Sequence, residues 1–152
     1  MNRRSFLLTS SSAVATALVP SMPGADAPDP WSKNELMEPT ELAAILNSRR
    51  ALPHIFCVAF PVLYRQKHIS GAVFAGPTSK PEGLADLRAA VASLPKNTAI
   101  VLYCGCCPIK DCPNIRPAFQ ALKELGFTNL RALDLPTNFL TDWDSKGYPV
   151  TV

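Results

Sequence analysis

Four cysteines crowd into the run Cys104-Gly105-Cys106-Cys107-Pro108-Ile109-Lys110-Asp111-Cys112. Thiols gathered this way open three kinds of chemistry. A thiolate can attack an electrophilic sulfur, two thiols can close a disulfide, and several thiolates together can hold Zn²⁺, Cu(I) or an iron–sulfur cluster. The spacing of Cys104, Cys106, Cys107 and Cys112 suits a metal poorly, because adjacent cysteines seldom turn four sulfurs toward one ion. In an oxidising compartment a disulfide between Cys112 and either Cys106 or Cys107 is favoured over a bound metal. No other cofactor is expected. The fifth cysteine, Cys57, lies in an apolar run and reads as a small buried hydrophobe.

Which thiol acts as the nucleophile depends on the elements that carry it. Ile55–Phe60, Ala99–Tyr103 and Leu130–Leu135 are apolar runs too short for helices, and they read as buried strands. Between them lie helical patterns. One is capped by Thr40 and runs through Leu46; a second carries Leu84, Leu87, Val91 and Leu94 between Pro81 and Pro95. A third spans Arg116–Leu125, with Pro117 in its first turn and Gly126 as its stop. Strands apolar on both faces and alternating with helices predict a single α/β domain around a parallel sheet. Such sheets bind ligands at the carboxyl ends of their strands. Cys104 directly follows the strand ending at Tyr103, where exposure, loop amides and the positive end of the next helix favour a reactive thiolate. It is the leading nucleophile. Gly105, Cys106, Cys107 and Cys112 complete its loop, Lys110 adds positive charge, and Arg116 at the start of the next helix is placed to help hold an anion.

Composition narrows the partners. The 152 residues carry 15 Lys+Arg against 12 Asp+Glu, a net charge of +3 with only 18% charged residues, too weak and scattered for a nucleic-acid groove. An apolar fraction of 47% is enough for a real core. Arg3-Arg4 followed by Ser5-Phe6-Leu7-Leu8 and a diluted apolar run to Val19 resembles a twin-arginine export signal. The run is too short to span a bilayer, so no stable membrane anchor is expected once the signal is removed. Residues 1–27 are therefore read as the signal, 28–35 as a linker and 36–152 as the domain, with export machinery as an early partner and the periplasm as the destination.

From residue 36 to about 150 the chain resembles a rhodanese-like domain. The resemblance rests on five pieces: the helix around Leu42–Leu46, His68-Ile69-Ser70-Gly71-Ala72, the strand ending Leu102-Tyr103-Cys104, the helix closing in Leu125-Gly126-Phe127, and Trp143 with Gly147-Tyr148-Pro149-Val150. It implies a doubly wound parallel sheet with helices on both faces. It also implies a loop cysteine, here Cys104, that takes sulfane sulfur from a small donor as a persulfide and passes it to a thiol acceptor. A neighbouring thiol could resolve that persulfide and release sulfide. The resemblance makes His68 a structural turn residue; His54 reads as surface and Trp143 as packing for the last segment. The family's Asp-x-Arg is replaced by Cys57-Val58-Ala59, its usual Gly-Gly by Leu135-Pro136-Thr137-Asn138, and its short active loop is lengthened to reach Arg116. Lys110 occupies the place where a phosphatase loop would need Arg. Two other readings stand beside sulfur transfer: a metal-binding or metal-delivery module built on the four thiols, and a rhodanese fold that only binds a partner.

Overall fold

The computed structural model describes residues 28–152; the export signal expected in 1–27 lies outside them. In chain order the elements are β1 (Leu36–Met37), α1 (Pro39–Ser48), β2 (His54–Cys57), α2 (Pro61–Gln66), β3 (His68–Ile69), β4 (Val73–Phe74), α3 (Pro81–Val91), β5 (Ile100–Tyr103), α4 (Ile115–Glu124), β6 (Leu130–Leu133), α5 (Phe139–Asp142) and β7 (Val150–Thr151). Five strands form a parallel sheet in the order β1-β6-β5-β2-β4, and β3 pairs antiparallel with β7 apart from it. All four residues of β5 are buried, as are the last three of β2, so the sheet is covered on both faces. This is the expected α/β architecture. No described helix is long and apolar enough to cross a membrane.

The order of the strands fixes where a ligand can sit. From β2 the chain proceeds to β4 on one side, whereas from β5 it proceeds through α4 to β6 on the other. The winding therefore reverses between β2 and β5, and their carboxyl ends diverge into a crevice. Cys57 and Tyr103 pair in register at that end, and the Val58 N–H donates to the Tyr103 carbonyl at 2.9 Å.

Several elements differ from expectation at their ends. The strand expected to reach Phe60 stops at Cys57, because the Val58 carbonyl turns to the Thr78 N–H and Pro61 then opens α2. The strand expected to reach Leu135 stops at Leu133, and the Leu135 carbonyl instead accepts from Ile109 in the cysteine loop. Helix α1 begins at Pro39 with Glu38 as its cap, which places Thr40 inside the helix, since proline favours the first helical position. Leu94 lies past the end of α3, its N–H donating to Val91. Helix α4 begins and ends one residue earlier than expected, at Ile115 and Glu124, and beyond its Leu125 cap Gly126 (φ +88°) donates to the Lys123 carbonyl.

Residues 28–35, expected as a linker, pack on the domain. Trp31 is 9% exposed and meets the Phe119 ring edge-on at 5.5 Å, while Ser32 and Glu35 close a capping box around a short 3₁₀ turn. Trp143 is fully buried and its indole N–H donates to the Pro149 carbonyl at 3.0 Å, tying the last segment to the core. His68 stacks on Tyr64 at 3.9 Å and its Nδ1 lies 2.9 Å from the Tyr64 carbonyl, a structural position beside the turn.

Candidate functional site

Strand β5 delivers Cys104 to the crevice, and Gly105 then turns the chain with a φ of +77°. Glycine is needed there twice over. The left-handed backbone disfavours a side chain, and a Cβ would come within 2.6 Å of the Phe139 Cβ. The Gly105 carbonyl accepts from the Phe139 N–H at 3.0 Å, which fastens the start of the loop to α5. Farther on, a 3₁₀ turn at Ile109–Asp111 folds the loop back, pinned by the Ile109 N–H on Leu135 at 3.1 Å. Cys112 is thereby carried under Cys104 and up to the start of α4.

The fold-back gathers the thiols. The sulfurs of Cys104, Cys106 and Cys112 all lie within 4.8 Å of one another, and Cys106 is 3.2 Å from both Cys104 and Cys107. All five cysteines of the chain are free thiols in this structure. Cys57 is 2% exposed, as its apolar strand implied, yet it also lines the crevice.

Negative charge settles unevenly among them. The Cys104 and Cys106 thiols and the nearby backbone amides of Asn114 and Ile115 draw the pKa of Cys112 below the ordinary thiol value, against the opposing effect of burial. Cys104 responds in the opposite sense. Its contact with Cys106 pulls its pKa down, but hydrogen bonding to Cys112, burial and the Cys112 charge together push it up. Cys106 is raised by its hydrogen bonds to Cys104 and Cys112, and Cys107 chiefly by burial. Within the cluster acidity is drawn toward Cys112 and away from Cys104. The start of α4 supports Cys112, whereas the sequence placed that support on Cys104; the folded-back loop accounts for the difference. Cys104 is also only 6% exposed, not freely presented as expected.

Cys104 is nonetheless open to one side. A cavity of about 440 Å³ lies over the crevice, with Cys57, Tyr103, Cys104 and Cys106 at its base and Tyr64, Phe139 and Leu140 among its walls. Lys67 and Asp144 are the only charged side chains lining it among the described residues, and both Asp144 oxygens lie within 3.1 Å of the Lys67 ammonium. The other expected cations lie elsewhere. The Lys110 side chain is 78% exposed and 3.9 Å from Asp111, and Arg116 pairs with Asp29 while resting over the Trp31 ring.

Asn114 is a site residue that sequence reasoning missed. It is fully buried, and its amide Nδ2 lies 3.5 Å from the Cys104 sulfur. Its Oδ1 accepts from the Ser79 N–H at 2.9 Å, and its carbonyl accepts from the Thr78 hydroxyl at 2.6 Å. An asparagine just before a helix reads from sequence as an exposed cap; nothing local reveals that Thr78 and Ser79 close over it. Tyr103, Phe139 and the Lys67–Asp144 pair were missed for the same reason, since each reaches the crevice through long-range packing.

The architecture and the cysteine-bearing loop define a class, and comparison with known proteins agrees. The chain belongs to the rhodanese-like domain family, whose sequence profile matches residues 38–135. Among solved structures it is similar to the rhodanese-like domain of an Anabaena protein, at TM-score 0.56 and 22% identity over 77% of this chain and 78% of the other. A Bacillus halodurans protein matches at TM-score 0.59 and 18% identity, covering 76% and 74%. A rhodanese-related protein of Thermoplasma volcanium matches at 0.53 and 15%, covering 77% and 97%. These likenesses concern the fold. No curated protein matches the chain.

Proposed function

We propose that this protein is a sulfur carrier of the sulfurtransferase type, with Cys104 as the atom that takes and gives sulfur. One observation carries the reading. Cys104 stands at the reversal point of the sheet, at the base of a cavity, with the Cys106 sulfur 3.2 Å away and the Cys112 sulfur within 4.8 Å. The Cys104 thiol gives its proton to solvent in the cavity, and its sulfur attacks the outer sulfur of a sulfane donor. The donor's sulfur–sulfur bond breaks, and the leaving group departs with the bonding pair. The new Cys104 persulfide carries a negative charge, and the Asn114 amide, 3.5 Å from the Cys104 sulfur, is the donor at hand for it. An acceptor thiolate then attacks the outer sulfur, and Cys104 leaves as a thiolate that takes its proton back from solvent. The place of work is the periplasm, after export on the signal expected in residues 1–27.

Anaerobic treatment of the reduced protein with a sulfane donor tests this by intact mass. A one-sulfur adduct in the wild type that is lost in Cys104→Ser supports the reading. Absence of any adduct, or one that persists in Cys104→Ser, refutes it.

The mutual approach of the Cys104, Cys106 and Cys112 sulfurs favours one second reading, a soft ion such as Cu(I) or Zn²⁺ held by three thiolates. Anaerobic titration with each ion decides it. Stoichiometric binding that displaces the persulfide and is lost in Cys112→Ser supports metal carriage; micromolar competitors stripping the ion without effort speaks against it.

A further inference from the structure

We infer that the sulfur donor is an organic sulfane compound with an apolar body, of the thiosulfonate class, rather than inorganic thiosulfate. This rests on the persulfide reading and specifies its substrate. Three observations carry it. The cavity over Cys104, at about 440 Å³, falls in the range of about 300–1,000 Å³ typical of sites for molecules with a carbon skeleton. A compact inorganic dianion would leave most of it to water.

Charge argues the same way. A dianion entering a partly apolar cavity loses hydration that only cations or amide donors can replace. Lys67 is the one cation lining this cavity among the described residues, and both oxygens of Asp144 already hold it. Lys110 and Arg116 are engaged elsewhere. The donor that meets the Cys104 sulfur is the Asn114 side-chain amide, 3.5 Å away, one donor set against a dianion.

The walls supply the third observation. Phe139 and Leu63 are partly buried against the core, and Leu140 stands 64% exposed on the cavity lining, an apolar side chain held out toward whatever enters. A monoanionic thiosulfonate matches these features, with its outer sulfur on Cys104 and its hydrocarbon part against Phe139 and Leu140. The step balances. The Cys104 thiol loses its proton to solvent, its sulfur bonds to the donor's outer sulfur, the donor's sulfur–sulfur bond breaks, and a sulfinate leaves with the electron pair.

The test compares thiosulfate, methanethiosulfonate and benzenethiosulfonate on the full reduced chain. Cys104 persulfidation is followed by intact mass, and each rate is divided by that of the same donor with a simple free thiol. Benzenethiosulfonate is expected to exceed both others by tenfold or more. The exposed position of Leu140 makes Leu140→Ser a mild change for folding, and it should reduce the benzene-to-methane ratio severalfold. Normalised rates for thiosulfate equal to or above those for benzenethiosulfonate, or a ratio unchanged in Leu140→Ser, overturn the inference while leaving the persulfide reading intact. Failure of all three donors to modify Cys104 overturns the persulfide reading itself.

Discussion

Replacing Gly105 by alanine probes the joint between Cys104 and the rest of its loop. Two costs are expected. A side chain at φ +77° pays the left-handed penalty, roughly 1–2 kcal/mol. The new Cβ would also stand 2.6 Å from the Phe139 Cβ, whose backbone is itself bonded to Gly105, so neither partner can withdraw freely. Overpacking of that kind costs about 1–3 kcal/mol. Gly126→Ala supplies the comparison. Its φ of +88° carries the same backbone penalty, but nothing lies within 4 Å of the added atom. With a urea m value of about 1–3 kcal/mol/M, Gly126→Ala should lower the unfolding midpoint by about 0.5–1 M, and Gly105→Ala by roughly a further 1 M. The assay is equilibrium urea unfolding of both variants under reducing conditions. Equal midpoints for the two would refute the close approach of Phe139, and with it the account of how the loop is anchored.

Three further outcomes follow from the same geometry. Thr78→Val removes the hydroxyl that donates to the Asn114 carbonyl, leaving a buried acceptor unmet; a loss of about 1–3 kcal/mol in urea unfolding is expected, with slower Cys104 persulfidation because Asn114 is freed to shift. The depressed pKa of Cys112 contributes stability that is complete above the ordinary thiol value of 9.0 and fades as pH falls below it. The raised Cys104, Cys106 and Cys107 contribute stability that fades as pH climbs past 9.0. Unfolding free energy should therefore rise with pH toward 9.0 by up to about 1 kcal/mol per pH unit, and Cys112→Ser should flatten that rise; an unaltered slope would place the thiolate elsewhere. Trp143→Ala empties a fully buried site and breaks the bond to Pro149, for which a cost of about 3–5 kcal/mol is expected by thermal and urea unfolding.

The sheet was legible because its strands are buried on both faces, so Ile55–Cys57 and Val101–Tyr103 stand out as apolar runs without any partner being known. The helices were legible through Pro81, Pro117 and Gly126, which mark ends by backbone chemistry alone. Two-residue strands such as β1, β3, β4 and β7 leave no period to detect, and they went unseen. The site divides in the same way. Placing Cys104 at a strand end needed only the boundary at Tyr103. Bringing the Cys112 sulfur within 4.8 Å of those of Cys104 and Cys106 required knowing that Ile109 bonds to Leu135, a contact between segments remote in sequence. The orientation of Lys110 and Arg116 was equally hidden, because Arg116 answers to Asp29, a residue read only as part of a connecting stretch.

The folded-back loop has a practical corollary. The Cys104 and Cys112 sulfurs come from opposite ends of one segment, held together by two main-chain bonds, Phe139 to Gly105 and Ile109 to Leu135. A lesion that merely lets the segment relax would separate the two sulfurs without altering either. Reagents that tally reactive thiols in the denatured chain would score such a protein as undamaged, so inactive preparations should be judged by the spacing of their sulfurs as well as by their number.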